Sequence, residues 1–156
     1  MAQRTGANPT AAKKSIKQTR AQRLEQARQF SIEAARLCAD LRCRDVNVLD
    51  VAGLSPVCDF FVIATAGSAR QMKTVVRDVT ELSERFDLRP MSGTHRSEPN
   101  ERWVAIDLVD AIVHLFNEEA RLFYDLDNLW GDAKQVSWQR DPTPAPATPT
   151  APAEGS

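Results

Sequence analysis

At 156 residues, 42% of them hydrophobic, the chain suits one domain with one ordinary core. Its formal net charge of -1 hides a division: residues 1–24 carry six basic side chains (Arg4, Lys13, Lys14, Lys17, Arg20, Arg23) and no acidic one, whereas residues 25–139 carry 13 Lys and Arg against 19 Asp and Glu. An acidic folded unit is a poor tracker of phosphate backbones, no run approaches the roughly 18 apolar residues that would span a bilayer, and three cysteines without C-x-x-C spacing suggest neither a disulfide framework nor a zinc site.

In chain order, residues 1–21 read as a basic disordered tail, most simply solvated, with weak RNA contact as the alternative. The tail lacks the apolar stretch of a secretory signal and makes a poor amphipathic face for an organellar transit peptide, so a reducing cytoplasm is the expected compartment. Leu24, Ala27, Ala34, Ala35, Cys38 and Leu41 recur at helical spacing, which predicts a helix over residues 22–42. The period then changes. VNVLDV (46–51) and FFVIATA (60–66) read as strands separated by a Gly- and Pro-bearing loop, and the second, apolar on both faces, belongs in the middle of a sheet.

Ser68 and Gln71 stand in the S-x-x-Q relation of a capping box and predict a helix start. Met72, Val75, Val76, Val79, Leu82 and Phe86 form its buried stripe. Residues 87–101 are polar and broken by Pro and Gly, with at most a short edge strand near RPMSGT (89–94). Asn117 is a candidate N-cap for a last helix, EEARLFYDLDNLW (118–130). The folded unit spans 22–139, and RDPTPAPATPTAPAEGS (140–156) is a disordered tail too rich in Pro, Ala and Thr to pack.

Between these helices lies RWVAIDLVDAIVHLF (102–116). Two strands joined by a two-residue turn at Val109 and Asp110 place Val104 opposite Leu115, Ile106 opposite Val113 and Leu108 opposite Ala111, an apolar face. The reverse face pairs Trp103 with Phe116, Ala105 with His114 and Asp107 with Ile112. Left uncovered, that mixture of aromatic, acid and imidazole has the make-up of a protein-binding surface. Val109 is an uncomfortable turn residue, because β-branched side chains resist positive φ.

The same cluster tests for catalysis poorly. Asp107 and Asp110 have opposite strand parity, and a single histidine stands near them, so neither a metal set nor an acid/base pair is assembled. The passage Thr65–Gln71 resembles a phosphate-cradling turn, yet the acids that phosphoryl chemistry needs are missing: Asp78-Val79-Thr80 supplies one carboxylate, inside a helix. The sequence therefore favours a binding module over a nucleotide-handling enzyme, with a self-associating scaffold as a third class.

The segments VNVLDVAGLSPVCDFFVIATAGSARQ and RWVAIDLVDAIVHLFNEEARLFYDLDNLWGDA together resemble the ribosomal silencing factor, or Iojap-like, family over about residues 24–136. The specific combination is a D-x-F-V-I-A-T strand with its S-x-R-Q helix start, a W-V-x-x-D strand, a D-x-x-V-H-x-F strand and a closing R-x-F-Y-x-L-x-x-L-W-G-D-A. Val109 departs from the pattern, standing where the family usually has glycine. The resemblance implies an α/β, nucleotidyltransferase-like fold, a mixed β-sheet with helices packed mainly on one face, without catalytic activity, cofactor or metal. It implies docking on the large ribosomal subunit through ribosomal protein fourteen, blocking subunit joining when nutrients are short. Organellar relatives assist large-subunit assembly, and bacterial ones can form homodimers. With parity as the guide, Trp103, Asp107, His114 and Phe116, joined by Asp110, Tyr124 and Trp130, are the expected partner-binding residues.

Overall fold

The computed structural model describes residues 18–91, 96–97 and 102–140. Most of the two expected tails lies outside these residues. Helix α1 (Arg20–Asp40) begins two residues before the periodicity suggested, because Thr19 caps it. The Thr19 hydroxyl accepts the Gln22 N–H at 3.0 Å and the Gln22 carboxamide accepts the Thr19 N–H at 2.9 Å, so each side chain satisfies an orphan donor. Strands β1 (Arg44–Asp50) and β2 (Phe60–Thr65) follow, then helix α2 (Ala69–Arg85), capped by Ser68, whose hydroxyl accepts the Gln71 N–H at 3.0 Å.

The rest of the unit is β3 (Arg96–Ser97), β4 (Trp103–Asp107), β5 (Ala111–Phe116), helices α3 (Glu118–Tyr124) and α4 (Leu126–Leu129), and β6 (Lys134–Gln135). The edge strand expected near residues 89–94 thus falls at β3. The expected last helix is two helices, since Asp125 adopts a left-handed φ of 48° between them. Six strands make one sheet in the order β3-β4-β5-β2-β1-β6, with β2 and β5 parallel and the other pairs antiparallel. This is a mixed α/β fold.

Every residue of β2 is buried, as its two-sided apolar sequence requires of a central strand. One sheet face, carrying Val48, Phe60, Val62, Ala64, Ile106, Val113 and Leu115, packs under α1 and α2. The small residues Ala27, Ala34, Ala35 and Cys38 let α1 lie close, and Phe30 meets Phe86 edge to face at 5.8 Å. A strap after β6 seals the outer edge: the Val136 N–H reaches the Val48 carbonyl at 2.8 Å, and the Trp138 indole N–H reaches that of Val46 at 3.2 Å.

The hairpin register matches the sequence pairing: Trp103 faces Phe116, Val104 Leu115, Ala105 His114, Ile106 Val113 and Asp107 Ile112. The expectation that the reverse face stays open is overturned. The two long helices do share one side, but α3 and α4 fold back over the other, where Leu49, Phe61, Ile63, Phe116 and Ala120 form a second core with Trp103, Tyr124, Leu126 and Trp130 packed against it. The physical reason is that β2 and β5 present apolar side chains to both sides, so neither side tolerates water.

Val109 carries the hairpin turn at φ 76°, with the Asp110 N–H on the Leu108 carbonyl at 2.9 Å, the rare and strained form of the γ-turn. Asp107 holds it by accepting the Val109 N–H at 2.9 Å. Because Val109 is 48% exposed, it returns little by burial. Relief of a left-handed β-branched residue outweighs the added chain freedom of glycine, so Val109→Gly is expected to raise stability by about 1 kcal/mol. Urea unfolding of both proteins checks this; a midpoint at or below that of the parent would show that the turn stores no strain.

Candidate functional site

The second core is a connected set of rings. His114, on β5, meets Phe61 of β2 edge to face at 4.9 Å, and Phe61 in turn meets Trp130 at 5.3 Å. Trp103 stacks on Phe116 at 5.1 Å and lies 4.6 Å from Tyr124 of α3, whose ring meets Phe123 edge to face at 5.0 Å. Strand alternation puts Phe61, His114 and Phe116 on one face, and the cross-strand pair Trp103–Phe116 brings in the indole.

Local chemistry fixes the cover in place. Asn117 caps α3 by accepting the Ala120 N–H at 2.7 Å, and its own N–H is held by the Arg102 carbonyl at 2.8 Å. Arg121, nearly buried, donates to both carboxylate oxygens of Asp127 at 2.8 and 3.1 Å and to the Thr65 hydroxyl at 2.8 Å. Asn47 of β1 donates to Asp127 at 3.1 Å, so one guanidinium and one carboxylate tie α3 and α4 to two strands. Burial pushes the Asp127 carboxyl upward, but the hydrogen bonds and charge of Arg121, with Asn47, outweigh it and hold the group below its usual range.

His114 is a buried hydrogen-bond acceptor within the ring cluster. The Trp103 indole N–H donates to its Nδ1 at 3.2 Å. An indole nitrogen can only donate, so Nδ1 is the acceptor and the ring proton sits on Nε2. Nε2 is buried without a hydrogen-bond partner among the described residues. Burial pulls the imidazole pKa down to about 4, leaving it neutral near pH 7.

The seven expected site residues therefore divide. Trp103, His114, Phe116, Tyr124 and Trp130 are brought together in the ring cluster. Of these, His114 (7% exposed) and Phe116 (0%) lie beneath α3, which corrects their expected place on an open face. Trp103, Tyr124 and Trp130 are half-buried. Asp107 and Asp110 stand at the far end of the hairpin, the first holding the turn and the second paired with Arg23 at 2.8 Å.

Of the outward residues, the sequence reading weighs Leu129 between packing on the sheet and meeting a partner, and passes over Leu122 and Phe123. Leu122 and Phe123 of α3 and Leu129 of α4 are 77%, 73% and 70% exposed, apolar side chains turned to water on the cover. Part of the signal was available: with Ala120 and Tyr124 one turn apart on the inner side of α3, Leu122 must point outward, whereas Phe123 falls on the flank and periodicity alone does not place it. Among the described residues no three His, Cys, Asp or Glu are grouped as a metal set. At the Gly67–Ser68 turn the Gln71 carboxamide accepts the Gly67 N–H, a donor that a phosphate would use, and Asp78 pairs with Arg77 at 3.0 Å on α2.

Comparison with known proteins agrees with this architecture. The family model described as "Ribosomal silencing factor during starvation" matches residues 24–155. The chain is 35% identical over 102 residues to the ribosomal silencing factor RsfS of Bacillus subtilis, covering 64% of this chain and 83% of that protein. It is 39% identical over 102 residues to the RsfS of Treponema pallidum, covering 65% and 89%. A chloroplastic protein Iojap of Arabidopsis thaliana is 33% identical over 107 residues, 69% of this chain and 44% of that longer protein. A crystal structure of a Chromobacterium violaceum protein superposes with a TM-score of 0.58 at 26% identity over 76% of this chain and 93% of that one. One from Bacillus halodurans gives 0.53 at 29% identity over 70% and 94%.

The depressed imidazole makes stability depend on pH. Between about 4 and 6.5 the unfolded chain binds a proton at His114 that the native state refuses. Stability is thus complete above the unfolded value and is lost as pH falls toward the folded one, by up to about 3 kcal/mol. Urea unfolding from pH 7.5 to 4.5 is expected to show this decline, and His114→Gln, which keeps an acceptor for the indole but does not titrate, is expected to show a shallower one. Parallel curves for the two proteins would remove His114 as the source.

Proposed function

The chain belongs to the ribosomal silencing factor family, and from that premise we propose that it docks on the large ribosomal subunit through ribosomal protein fourteen and stands sterically in the path of the small subunit. Family membership makes it a ribosome-related regulator of translation. The partner and the steric block are the part proposed.

The observation that carries the reading is the exposure of Leu122, Phe123 and Leu129, backed by the half-buried Trp103, Tyr124 and Trp130. Scattered exposed leucines need no explanation, but a group with an aromatic among them, seated on rigid rings, has the anatomy of an interface centre. Acidic side chains stand on the same two helices: Glu118 and Glu119 open α3, Glu118 paired with Arg44 at 3.2 Å, and Asp125 precedes α4. An apolar centre with acidic neighbours suits a basic protein partner, and the net charge of the folded unit points the same way. His114 and Phe116 then act from beneath by fixing the Trp103 ring, while Asp107 and Asp110 shape the hairpin turn.

The same reading takes the fold as a nucleotidyltransferase-like sheet put to binding use. Its support is the β2–Gly67–Ser68–α2 passage, with Asp78 on a helix flank beside Arg77 rather than in an acid pair. A cytoplasmic setting is proposed because the three cysteines are all free thiols, which suits a reducing compartment.

Sedimentation with purified large subunits tests the proposal. The wild-type chain is expected to co-pellet and to lower the yield of joined ribosomes when small subunits are added. Phe123→Ala is expected to leave unfolding within about 0.5 kcal/mol, since the ring is largely in water, and to weaken co-pelleting by about 2 kcal/mol, roughly 30-fold. Wild-type affinity in Phe123→Ala and in Trp103→Ala, both folded, would place the contact elsewhere. Loss of binding without any effect on subunit joining would keep the docking surface and reject the steric block.

A further inference from the structure

The C-terminus of α1 carries a feature that ribosome docking does not use. Helix α1 ends in a Schellman motif: Leu41 is the C-cap, Arg42 follows at φ 74°, the Arg42 N–H reaches the Ala39 carbonyl at 2.9 Å, and the Cys43 N–H reaches the Cys38 carbonyl at 2.9 Å. In this motif the side chain three residues before the cap and the one two residues after it are brought into contact, commonly as an apolar pair. Here both are cysteines. Both side chains lie in the main core, and each thiol's pKa responds first to the other sulfur. Helix α2 ends in the same motif, with Asp87 at φ 61° and Ser83 and Leu88 in the equivalent places, so the geometry belongs to the motif and the chemistry to the two sulfurs.

We propose that Cys38 and Cys43 form a dithiol site that exchanges with low-molecular-weight disulfides of the glutathione class and closes to an intramolecular Cys38–Cys43 disulfide. The helix cap places the two positions side by side before any reaction, through the Cys43 N–H on the Cys38 carbonyl at 2.9 Å, which is the placement closure needs. Their environments divide the roles. The Cys38 thiol lends a hydrogen bond to the Cys43 sulfur, which lowers the Cys43 pKa against the opposing effect of burial. Cys38, fully buried, is held in the protonated form, first by that same hydrogen bond and then by burial. Cys43 is therefore the attacking sulfur and Cys38 the resolving one.

Cys43 is itself only 8% exposed, so attack needs a small local opening, and β1 begins irregularly there, with a register shift between Arg44 and Asn47 and Asp45 at φ 50°. Arg42 and Arg44 flank it with exposed side chains, Arg44 paired with Glu118 at 3.2 Å. Cys58 is the internal contrast. Burial, with the charges of Asp107 and Asp59, pushes its thiol up to about 12, and it has no second sulfur hydrogen-bonded to it.

The chemistry balances without a metal or cofactor. The Cys43 thiol gives its proton to solvent, and its thiolate attacks one sulfur of glutathione disulfide. That disulfide bond breaks, a mixed disulfide forms, and the first glutathione leaves as a thiolate that takes up a proton. The Cys38 sulfur, losing its proton, then attacks the Cys43 sulfur and expels the second glutathione, which is protonated in turn. Two protein thiols are oxidised by two electrons, and one glutathione disulfide is reduced to two glutathiones.

The test uses the full chain, folded and reduced, incubated with glutathione disulfide, quenched with an alkylating reagent and digested without reductant. The expected product has lost two hydrogens, yields a Cys38–Cys43 cross-linked peptide and keeps Cys58 alkylatable, and Cys43 is expected to react about tenfold or more faster than Cys58. Cys38→Ser is expected to accumulate one glutathione on Cys43, because nothing resolves the adduct. The idea is overturned by three alkylatable thiols after the incubation, by an adduct that forms on Cys58 as fast as on Cys43, or by a cross-link that appears only in urea. The wild-type peptide map decides the matter even if the serine variant fails to fold.

Discussion

Two parallel strands, β2 and β5, present apolar side chains to both sides of the sheet, and the rest of the molecule answers to that constraint. A sheet with one wet face needs one layer of helices, whereas strands such as FFVIAT and AIVHLF need two. The long helices α1 and α2 satisfy the first side with their own amphipathic stripes. The second side is satisfied by about a dozen residues from Asn117 onward, too short for a conventional helical layer. That shortage explains why the cover depends on rings and one buried guanidinium. Tyr124 and Trp130 fill much area per residue, and Arg121 anchors the backbone that carries them to Thr65 and Asp127.

A thin cover has a functional consequence. A helix of seven residues has one inner side, taken by Ala120 and Tyr124, and the apolar residues that remain face water. Leu122 and Phe123 remain. The exposed side chains and the sealed rings are thus two sides of one short element, and the rigidity of the first comes from the packing of the second. The other end of the parallel pair is closed by charge: Arg20 grips Asp59 with two bonds of 2.7 Å, and Arg23 grips Asp110 at 2.8 Å. With both guanidinium groups largely in water these pairs contribute modestly to stability, but they set where the start of α1 lies against the sheet.

Much of this was legible in the sequence, for reasons that can be named. The register of β4 against β5 follows from parity and a two-residue turn, and a slip by one residue would have put Ile106 and Val113 in water, so the pattern left a single choice. Ser68 and Asn117 were readable as caps because a short polar side chain before an apolar period has few other uses. What parity could not supply is whether a face is covered. Trp103, His114 and Phe116 have the same composition whether they meet solvent, a partner or a fold-back helix, and that decision rests on contacts from residues ten or more positions away. The two-residue strand β6 was invisible for a different reason: the pairing is too short to impose a pattern, and only the alternation of Val136 and Trp138 hints at it.

His114 shows how a polar residue becomes part of a core without a charge to neutralise. Its place opposite Ala105 and beside Ile63 gives it neighbours that cannot solvate an imidazolium. The Trp103 indole, with a donor and no acceptor, selects the neutral tautomer by occupying Nδ1. The cost is an Nε2–H without a partner among the described residues, a group that would be in water if the face were open. A phenylalanine at this position would avoid that cost but would leave the indole N–H of Trp103 without its acceptor. The pair therefore holds the indole at a set angle between Phe116 and Tyr124, and the ring that stiffens the underside of the cover is oriented by a hydrogen bond rather than by shape alone.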